Sequence, residues 1–100
     1  MKTLRIPAVS DEPLDAAACF QESWLSQARS CDDDLLLVFS PADHTHHNWR
    51  LAAVQELARE AAPRRRVNAV ASNNDAAIGE AKDYFAEALG VTGQYLRLAR

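Results

Sequence analysis

Leu35-Leu36-Leu37-Val38-Phe39 is a stretch in which every residue is apolar. A strand that has one face in water alternates apolar and polar residues, whereas a strand covered on both faces of a parallel sheet is apolar throughout. This stretch therefore predicts a central strand of an α/β sheet.

Three further strands are predicted on either side of this central strand. Residues 4–9 alternate apolar and polar side chains, and Pro7 favours an edge position for them because proline cannot donate to a ladder. Residues 67–71 form the third predicted strand, and residues 94–98 form the fourth, whose alternation is again typical of an edge.

Three helices are predicted between these strands. The first begins at Ser10-Asp11-Glu12-Pro13, where a capping side chain, acidic residues and an early proline come together. The second runs from about His47 to Ala62, and the third begins at Asn73-Asn74-Asp75 and ends near Gly90. The predicted inward residues are Leu14, Ala17, Ala18, Trp24, Leu25 and Ala28 in the first helix, Leu51, Val54, Leu57, Ala58 and Ala61 in the second, and Ile78, Ala81, Phe85 and Leu89 in the third.

The element order β-α-β-α-β-α-β predicts a single Rossmann-like α/β domain over residues 1–100 with a four-stranded parallel sheet. Two edge-like strands favour the spatial order 1-2-3-4 over 2-1-3-4, which would make the Pro7 strand central. With one crossover hand, order 1-2-3-4 puts all three helices on one face. The other face would be bare, which predicts either a homodimer that covers it or the rival order 2-1-3-4, in which the first helix alone lies on that side. That face would carry Arg5, Pro7, Asn68, Val70, Tyr95 and Arg97.

The composition limits the classes of function. The chain has 100 residues, and a hydrophobic content of 48% is enough for a core. The net charge of −3, from 11 basic and 14 acidic residues, gives no electrostatic reason to expect nucleic-acid binding. No apolar run approaches the ~20 residues that cross a bilayer, and the first residues lack the apolar core of a signal peptide. We therefore expect no membrane association, a cytoplasmic location and reduced thiols at Cys19 and Cys31.

Glycine is scarce for a chain with this element order. The three glycines are Gly79, Gly90 and Gly93, and none of them joins a predicted strand to the helix that follows it. A glycine-rich loop at that place is what brings backbone N–H groups up to a pyrophosphate. The sequence therefore predicts no bound dinucleotide and no other cofactor.

Three segments in the second half of the chain carry a family resemblance. They are Leu57-Ala58-Arg59-Glu60-Ala61-Ala62-Pro63, Arg66-Val67-Asn68-Ala69-Val70-Ala71 and Val91-Thr92-Gly93-Gln94-Tyr95-Leu96. In this order they resemble the C-terminal half of the short-chain dehydrogenase/reductase family, over about residues 51–98. The resemblance implies a Rossmann-type scaffold.

The same resemblance draws attention to what this chain lacks. The family's active site uses a tyrosine four residues before a lysine, in which the lysine lowers the pKa of the tyrosine that transfers a proton. Here the tyrosines are Tyr84 and Tyr95 and the lysines are Lys2 and Lys82, so no such pair exists. We therefore expect no catalytic residues, no cofactor-binding residues and no self-contained NAD(P)-dependent reduction.

The segment Asp43-His44-Thr45-His46-His47 is the best remaining candidate for chemistry. It follows the carboxyl end of the predicted central strand, where open α/β sheets place their ligands. Histidine and aspartate bind Zn²⁺ and other divalent ions, so Asp43, His44, His46 and His47 are candidate metal ligands. Adjacent histidines diverge on a helix, and no H-x-x-x-H spacing is present. A polar turn that begins a solvated helix is the alternative interpretation.

Three functional hypotheses follow from the sequence. The first is a reduced, non-catalytic relative of the dehydrogenase family that acts by self-association as a homodimer or by contact with an unknown protein partner, with Trp49, Tyr95 and Arg97 as candidate interface residues. The second is a module that binds a small molecule or a divalent metal at the carboxyl ends of the strands. The third is an enzyme subunit whose missing parts come from a partner chain.

Overall fold

The computed structural model describes residues 1–8 and 10–98 and confirms the alternation of strands and helices. Asn74 caps the last helix, as predicted, by accepting a hydrogen bond from the backbone of Ala77 over 3.1 Å. The residues described contain no helix that is both long and apolar enough to cross a membrane.

In chain order the elements are β1 (Lys2–Ile6), α1 (Pro13–Ser23), α2 (Leu25–Ser30), β2 (Leu35–Phe39), a 3-10 turn (His44–His46), α3 (His47–Ala61), β3 (Val67–Ala71), α4 (Asp75–Glu87) and β4 (Tyr95–Arg97).

The four strands form one parallel sheet in the order β1-β2-β3-β4. Every residue of β2 and of β3 is buried, as a central strand covered on both faces requires. The predicted α/β Rossmann-like fold and the predicted strand order are therefore confirmed. The prediction of the first strand over residues 4–9 is wrong in its bounds, because β1 begins at Lys2 and ends at Ile6. Pro7 and Ala8 lie outside the strand, and Val9 lies outside the described residues.

The first predicted helix is in fact two helices, and its inward face differs from the prediction. The helix is interrupted at Trp24, which separates α1 from α2. Ala16, Phe20 and Ala28 are buried, whereas Leu14 is 86% exposed. The large ring of Phe20 sets the rotation of α1, because it packs 5.8 Å from the ring of Phe39 on β2.

The last helix also ends earlier than predicted. It stops at Glu87, and the backbone N–H of Ala88 donates to the carbonyl of Tyr84 as the helix ends. Leu89 is consequently 77% exposed, so its assignment to the inward face is wrong.

Helices cover both faces of the sheet, so the expectation of three helices on one face is wrong. We call the face that carries Leu35, Leu37 and Phe39 the first face, and the face that carries Leu36 and Val38 the second face. Helices α1, α2 and α3 share one apolar cluster with the first face, whereas α4 shares another with the second face. The strands lie side by side in chain order, so a helix on the other face gives a crossover of the other hand. The crossover through α4 therefore has the opposite hand to the other two. The α4 residues in the second cluster are Ile78, Ala81 and Phe85.

The strand register also corrects the predicted bare face. Tyr95 pairs with Ala69 and Arg97 with Ala71, so both lie on the first face. Asn68 and Val70 do lie on the second face, but both are fully buried. The six residues expected on one open face are therefore divided between two faces, and helix α4 covers the middle of the second.

Two polar side chains fix the sheet to the chain around it. Asn68 donates to the carbonyl of Val91 over 3.0 Å and accepts from the backbone N–H of Gln94 over 3.1 Å, which anchors the segment that leads into β4. Arg66 donates to Oδ2 of Asp34 over 2.8 Å, and its Nη1 donates to the carbonyl of Phe85 over 2.7 Å. Arg66 thereby joins the start of β2 to the end of α4.

Burial and the Arg66 contact act in opposite directions on Asp34. Burial on its own would raise the pKa of the Asp34 carboxyl group. Hydrogen bonds from the backbone and side chain of Arg66, together with its charge, outweigh that effect and lower the pKa below its usual value. Asp34 therefore stabilises the fold as a carboxylate.

Candidate functional site

A cavity of about 310 Å³ opens at the carboxyl ends of β1 and β2. We call it the carboxyl-end cavity. Its walls come from the connection between β1 and α1, from α1, from the end of β2 with the connection that follows, and from the start of α3. The lining residues are residues 6–8, 10, 11 and 39–43, Ala16, Phe20, Trp24, His46, Trp49 and Arg50.

The connections that leave β2 and β3 diverge beside this cavity. The first leads to α3 on the first face of the sheet, and the second leads to α4 on the second face. A neighbouring cavity, also about 310 Å³, shares Phe39 and Ser40 with the carboxyl-end cavity and reaches Ser72 and Asn73. Diverging connections at the carboxyl ends of parallel strands form the crevice in which open α/β sheets bind ligands.

Aromatic rings form one wall of the carboxyl-end cavity. The Trp49 ring lies 5.8 Å from the Phe20 ring and 5.6 Å from the Phe39 ring, and its contact with Phe39 is edge to face. Trp24 also lines the cavity and packs against the same apolar cluster. This wall is an apolar surface on which a planar group can stack.

His46 joins two walls of the cavity and is buried. Its Nδ1 accepts a hydrogen bond from Nε1 of Trp49 over 3.1 Å, and its Nε2 lies 3.1 Å from the carbonyl oxygen of Asp11. Because the indole N–H is a donor, Nδ1 of His46 carries the lone pair. Nε2 therefore carries the hydrogen and donates a hydrogen bond to the backbone carbonyl of Asp11. His46 thus holds the connection after β1 against the start of α3.

Arg50 is a buried cation in the cavity wall and is only 5% exposed. Its Nη1 donates to the carbonyl of Ser40 over 2.8 Å and to the hydroxyl of Tyr95 over 3.3 Å. The guanidinium lies 4.7 Å from the centre of the Phe39 ring and 5.6 Å from that of Trp49, in cation–π contact. Among the described residues, no carboxylate forms an ion pair with it.

Sequence reasoning missed Arg50, although its spacing carried a signal. Arg50 lies four residues before Val54 and belongs to the inward stripe of α3, together with the predicted Leu51, which is half-buried against the same cluster. A charged residue on an apolar stripe usually has a functional or structural partner, because burial of an unpaired charge is costly.

The family of the chain is established by a family model. The model, described as SDR-like and short chain dehydrogenase-like protein, matches residues 4–98. The chain belongs to this family. The match extends well beyond the three segments at residues 57–96 and into the first half of the chain. A search of curated proteins and of solved structures finds no significant match.

The described residues of this short chain dehydrogenase-like protein do not fit a dinucleotide clamp. The connection from β1 to α1 contains no glycine between residues 7 and 12. Gly79 lies within α4, and Gly90 and Gly93 lie between α4 and β4, at the opposite end of the sheet from the carboxyl-end cavity. Gly93 has a φ of 76°, and its N–H donates to the carbonyl of Val67 over 2.7 Å, so its role is to shape that turn.

The described tyrosines do not form a proton-transfer pair with a lysine. Tyr84 is 57% exposed on the outer side of α4. Tyr95 is buried on β4, and the cation that contacts its hydroxyl is Arg50. We derive no reaction step through a nicotinamide cofactor from these residues.

The four predicted metal ligands take different places. Asp43 and His46 line the carboxyl-end cavity, whereas His44 is exposed and His47 stacks 5.3 Å from the Tyr95 ring. Within residues 1–8 and 10–98, no three His, Cys, Asp or Glu side chains are grouped so that they could hold a metal ion. The metal site therefore stays a prediction without a geometric arrangement to support it.

Asp43 has a local partner in the 3-10 turn. Its Oδ1 accepts hydrogen bonds from the hydroxyl of Thr45 and from the backbone N–H of Thr45, the latter over 3.0 Å. These bonds, the hydroxyl first, lower the pKa of the Asp43 carboxyl group. Asp43 is therefore an ionised carboxylate that caps the turn at the rim of the cavity.

The three candidate interface residues also differ in accessibility. Trp49 is half-buried within the aromatic wall, Tyr95 is buried, and Arg97 is exposed. A role for them in protein contact stays a prediction.

Proposed function

We propose that this short chain dehydrogenase-like protein is a ligand-binding module that does not carry out oxidoreduction, and that its ligand is a small molecule held in the carboxyl-end cavity. The supporting observation is the position of that cavity. It lies at the carboxyl ends of neighbouring parallel strands, beside connections that diverge to opposite faces of the sheet.

The walls of the cavity combine apolar surface with polar groups in similar measure. Small-molecule sites are clefts of roughly 300–1,000 Å³ with mostly apolar walls and a few well-placed polar groups. The carboxyl-end cavity, at about 310 Å³, is at the small end of that range. Phe20 and Trp49 provide apolar surface, and Ser40, His46 and Arg50 provide the polar groups.

The non-catalytic part of the proposal depends on the missing chemistry. Hydride transfer by the dehydrogenase family needs a bound nicotinamide and a tyrosine whose pKa a nearby lysine lowers. In the described part of the chain no lysine forms a hydrogen bond with Tyr84 or Tyr95, and the connection after β1 contains no glycine. The scaffold retains a cleft that can bind a small molecule without transferring a hydride to it.

A fragment screen with two matched variants tests the proposal. Ala42 lies in the connection after β2 and lines the cavity, so Ala42→Phe should fill it without disturbing the core. Ala86 is exposed on α4, away from the carboxyl-end cavity, and gives the control Ala86→Phe. Ligand-observed NMR should detect small aromatic fragments that bind the wild type and Ala86→Phe but not Ala42→Phe. Equal binding to all three proteins, or no binding to any, would contradict the proposal.

Self-association was the leading hypothesis from the sequence, and it is now a weaker candidate. It was inferred from a bare sheet face, and helix α4 covers the middle of that face. Sedimentation over micromolar concentrations is its test. If the protein is a dimer, and fragments that bind against Phe20 and Trp49 do not change its oligomeric state, self-association becomes the better supported function.

A further inference from the structure

We propose, resting on the function proposed above, that the carboxyl-end cavity selects a small carboxylate joined to a planar apolar group, and that Arg50 is the counter-ion. The chemistry of Arg50 and Ser40 identifies the anion, and the charges at the rim decide which anion is preferred. The aromatic wall identifies the rest of the ligand.

The guanidinium of Arg50 has unused capacity for hydrogen bonds. The hydrogen bonds that it makes within the described residues all start from Nη1. Its Nε is buried and has no partner. The Nε side of a guanidinium is an edge that binds carboxylates through two parallel hydrogen bonds. Burial of a charge without a charged partner is costly, and no carboxylate among the described residues pairs with Arg50.

Ser40 supplies a second unpartnered group beside the first. Its carbonyl accepts from Arg50, and its Oγ is buried without a hydrogen-bond partner. Both residues line the carboxyl-end cavity. Two unsatisfied polar atoms on adjacent side chains of one cavity wall are unusual, because nearly all buried polar groups are paired. Since both atoms are buried, we expect a small rotation of these side chains as an anion binds.

The acidic residues around the cavity favour a single negative charge on the ligand. Asp11 and Asp43 line the same cavity as Arg50. Hydrogen bonds from Thr45 lower the pKa of Asp43, so its carboxylate stays ionised near neutral pH. Arg50 can pair with one negative charge, and the aspartates that line the same cavity repel a second, so a monoanion is preferred to a dianion such as phosphate.

The apolar part of the ligand follows from the rings that surround the guanidinium. Phe39 and Trp49 lie against Arg50 at 4.7 and 5.6 Å from the guanidinium carbon to the ring centres. Phe20 and Trp24 continue the same wall. A carboxylate held at Arg50 therefore places its attached group against aromatic surface, where a flat group has the largest contact.

Three probes that share one ring test this selection. Benzoate carries a carboxylate, benzamide is its neutral counterpart, and phenyl phosphate carries a dianion. Calorimetric or NMR titration of the wild type should give benzoate about tenfold tighter binding than benzamide, as expected for a charge-assisted pair. Phenyl phosphate should bind more weakly than benzoate.

Substitutions of Arg50 and Arg59 show which residue is responsible for the preference for benzoate over benzamide. Arg50→Gln should remove the preference for benzoate over benzamide, and Arg50→Lys should retain part of it. Arg59 is an exposed cation on α3, so Arg59→Gln is the matched control and should leave the preference unchanged. If Arg50→Gln does not fold, Arg50→Lys and Arg59→Gln still locate the effect, and the comparison of benzoate with benzamide on the wild type still decides whether the protein selects the anion.

The outcomes separate this inference from the proposed function. Equal affinity for benzoate and benzamide overturns the anion selection and leaves a ligand-binding cavity. Tighter binding of phenyl phosphate overturns the preference for a carboxylate. Failure of all three probes to bind at millimolar concentration overturns both proposals.

Discussion

The indole of Trp49 donates a hydrogen bond to Nδ1 of His46, with 3.1 Å between the nitrogen atoms. The other ring nitrogen of His46 lies 3.1 Å from the carbonyl oxygen of Asp11. The aromatic wall of the carboxyl-end cavity and the connection after β1 are therefore joined through one imidazole. This link fixes the shape of the cavity.

Replacing His46 should loosen both walls. His46→Ala leaves the Trp49 indole without its acceptor and releases the carbonyl of Asp11. We expect a loss of about 1–3 kcal/mol in the free energy of unfolding, as for a buried group left unsatisfied. Tryptophan fluorescence should shift to longer wavelength as water enters. The exposed neighbour gives the control His44→Ala, and an equal loss of stability in both variants would contradict this role.

The Asp34–Arg66 contact predicts a pH-dependent loss of stability. The pKa of Asp34 is lowered in the folded state, so its contribution is present above the unfolded pKa of about 3.9. That contribution is lost as the pH falls through the folded pKa. Asp34→Asn should therefore cost about 2 kcal/mol at neutral pH, and its difference from the wild type should shrink in acid.

Urea unfolding at about pH 7 and about pH 3 measures this difference. Asp32 pairs with Lys2 on the surface and is fully exposed, so Asp32→Asn is the control and should change stability little. A cost for Asp34→Asn that does not depend on pH would show that packing, rather than charge, makes the contribution.

Helix α4 predicts a large effect on the second face of the sheet. Phe85 is fully buried there beside Leu36 and Val70. Phe85→Ala should lower the free energy of unfolding by about 3–5 kcal/mol, because it leaves a cavity in the core. Leu89→Ala is the matched control and should change it by less than about 0.5 kcal/mol. Similar small effects for both would mean that α4 does not cover this face.

The buried amide of Asn68 predicts an effect on the last strand. Asn68→Ala removes the partners of the Val91 carbonyl and of the Gln94 N–H, at a cost of about 2 kcal/mol in stability. Hydrogen exchange of the β4 amides should accelerate more than that of β2 amides. The exposed Asn48 gives the control Asn48→Ala, for which no change in exchange is expected.

The sequence was sufficient for the strands and their order, for identifiable reasons. Leu35-Leu36-Leu37-Val38-Phe39 is apolar throughout, and this pattern has few alternatives to a central strand. Pro7 and the alternation near Tyr95 placed the first and last strands at the edges.

The side of the sheet that each helix covers could not be predicted from the same pattern. A strand that is apolar on both faces accepts a helix on either face, so the usual crossover hand was the only guide. The crossover through α4 has the opposite hand, so α4 lies on the second face. Tyr95 and Arg97 lie on the first face, and not on the face that was predicted for them.

The candidate site was predicted only in its position. The segment after β2 does line a cavity, through Asp43 and His46. Arg50 was missed because a charged residue near a helix start reads as a solvated position, and only tertiary contacts with Ser40 and Tyr95 show its burial.

The most direct test of the central claim is the ¹H–¹⁵N NMR spectrum of the wild type during titration with small aromatic fragments, both carboxylates and neutral compounds. Trp24 and Trp49 both line the carboxyl-end cavity, and each has its own indole cross peak. We predict that both indole peaks and the backbone peaks of Ser40 and Asp11 shift together and saturate. Shifts confined to other surfaces, or none at millimolar fragment, would contradict the claim that this cavity is the functional site.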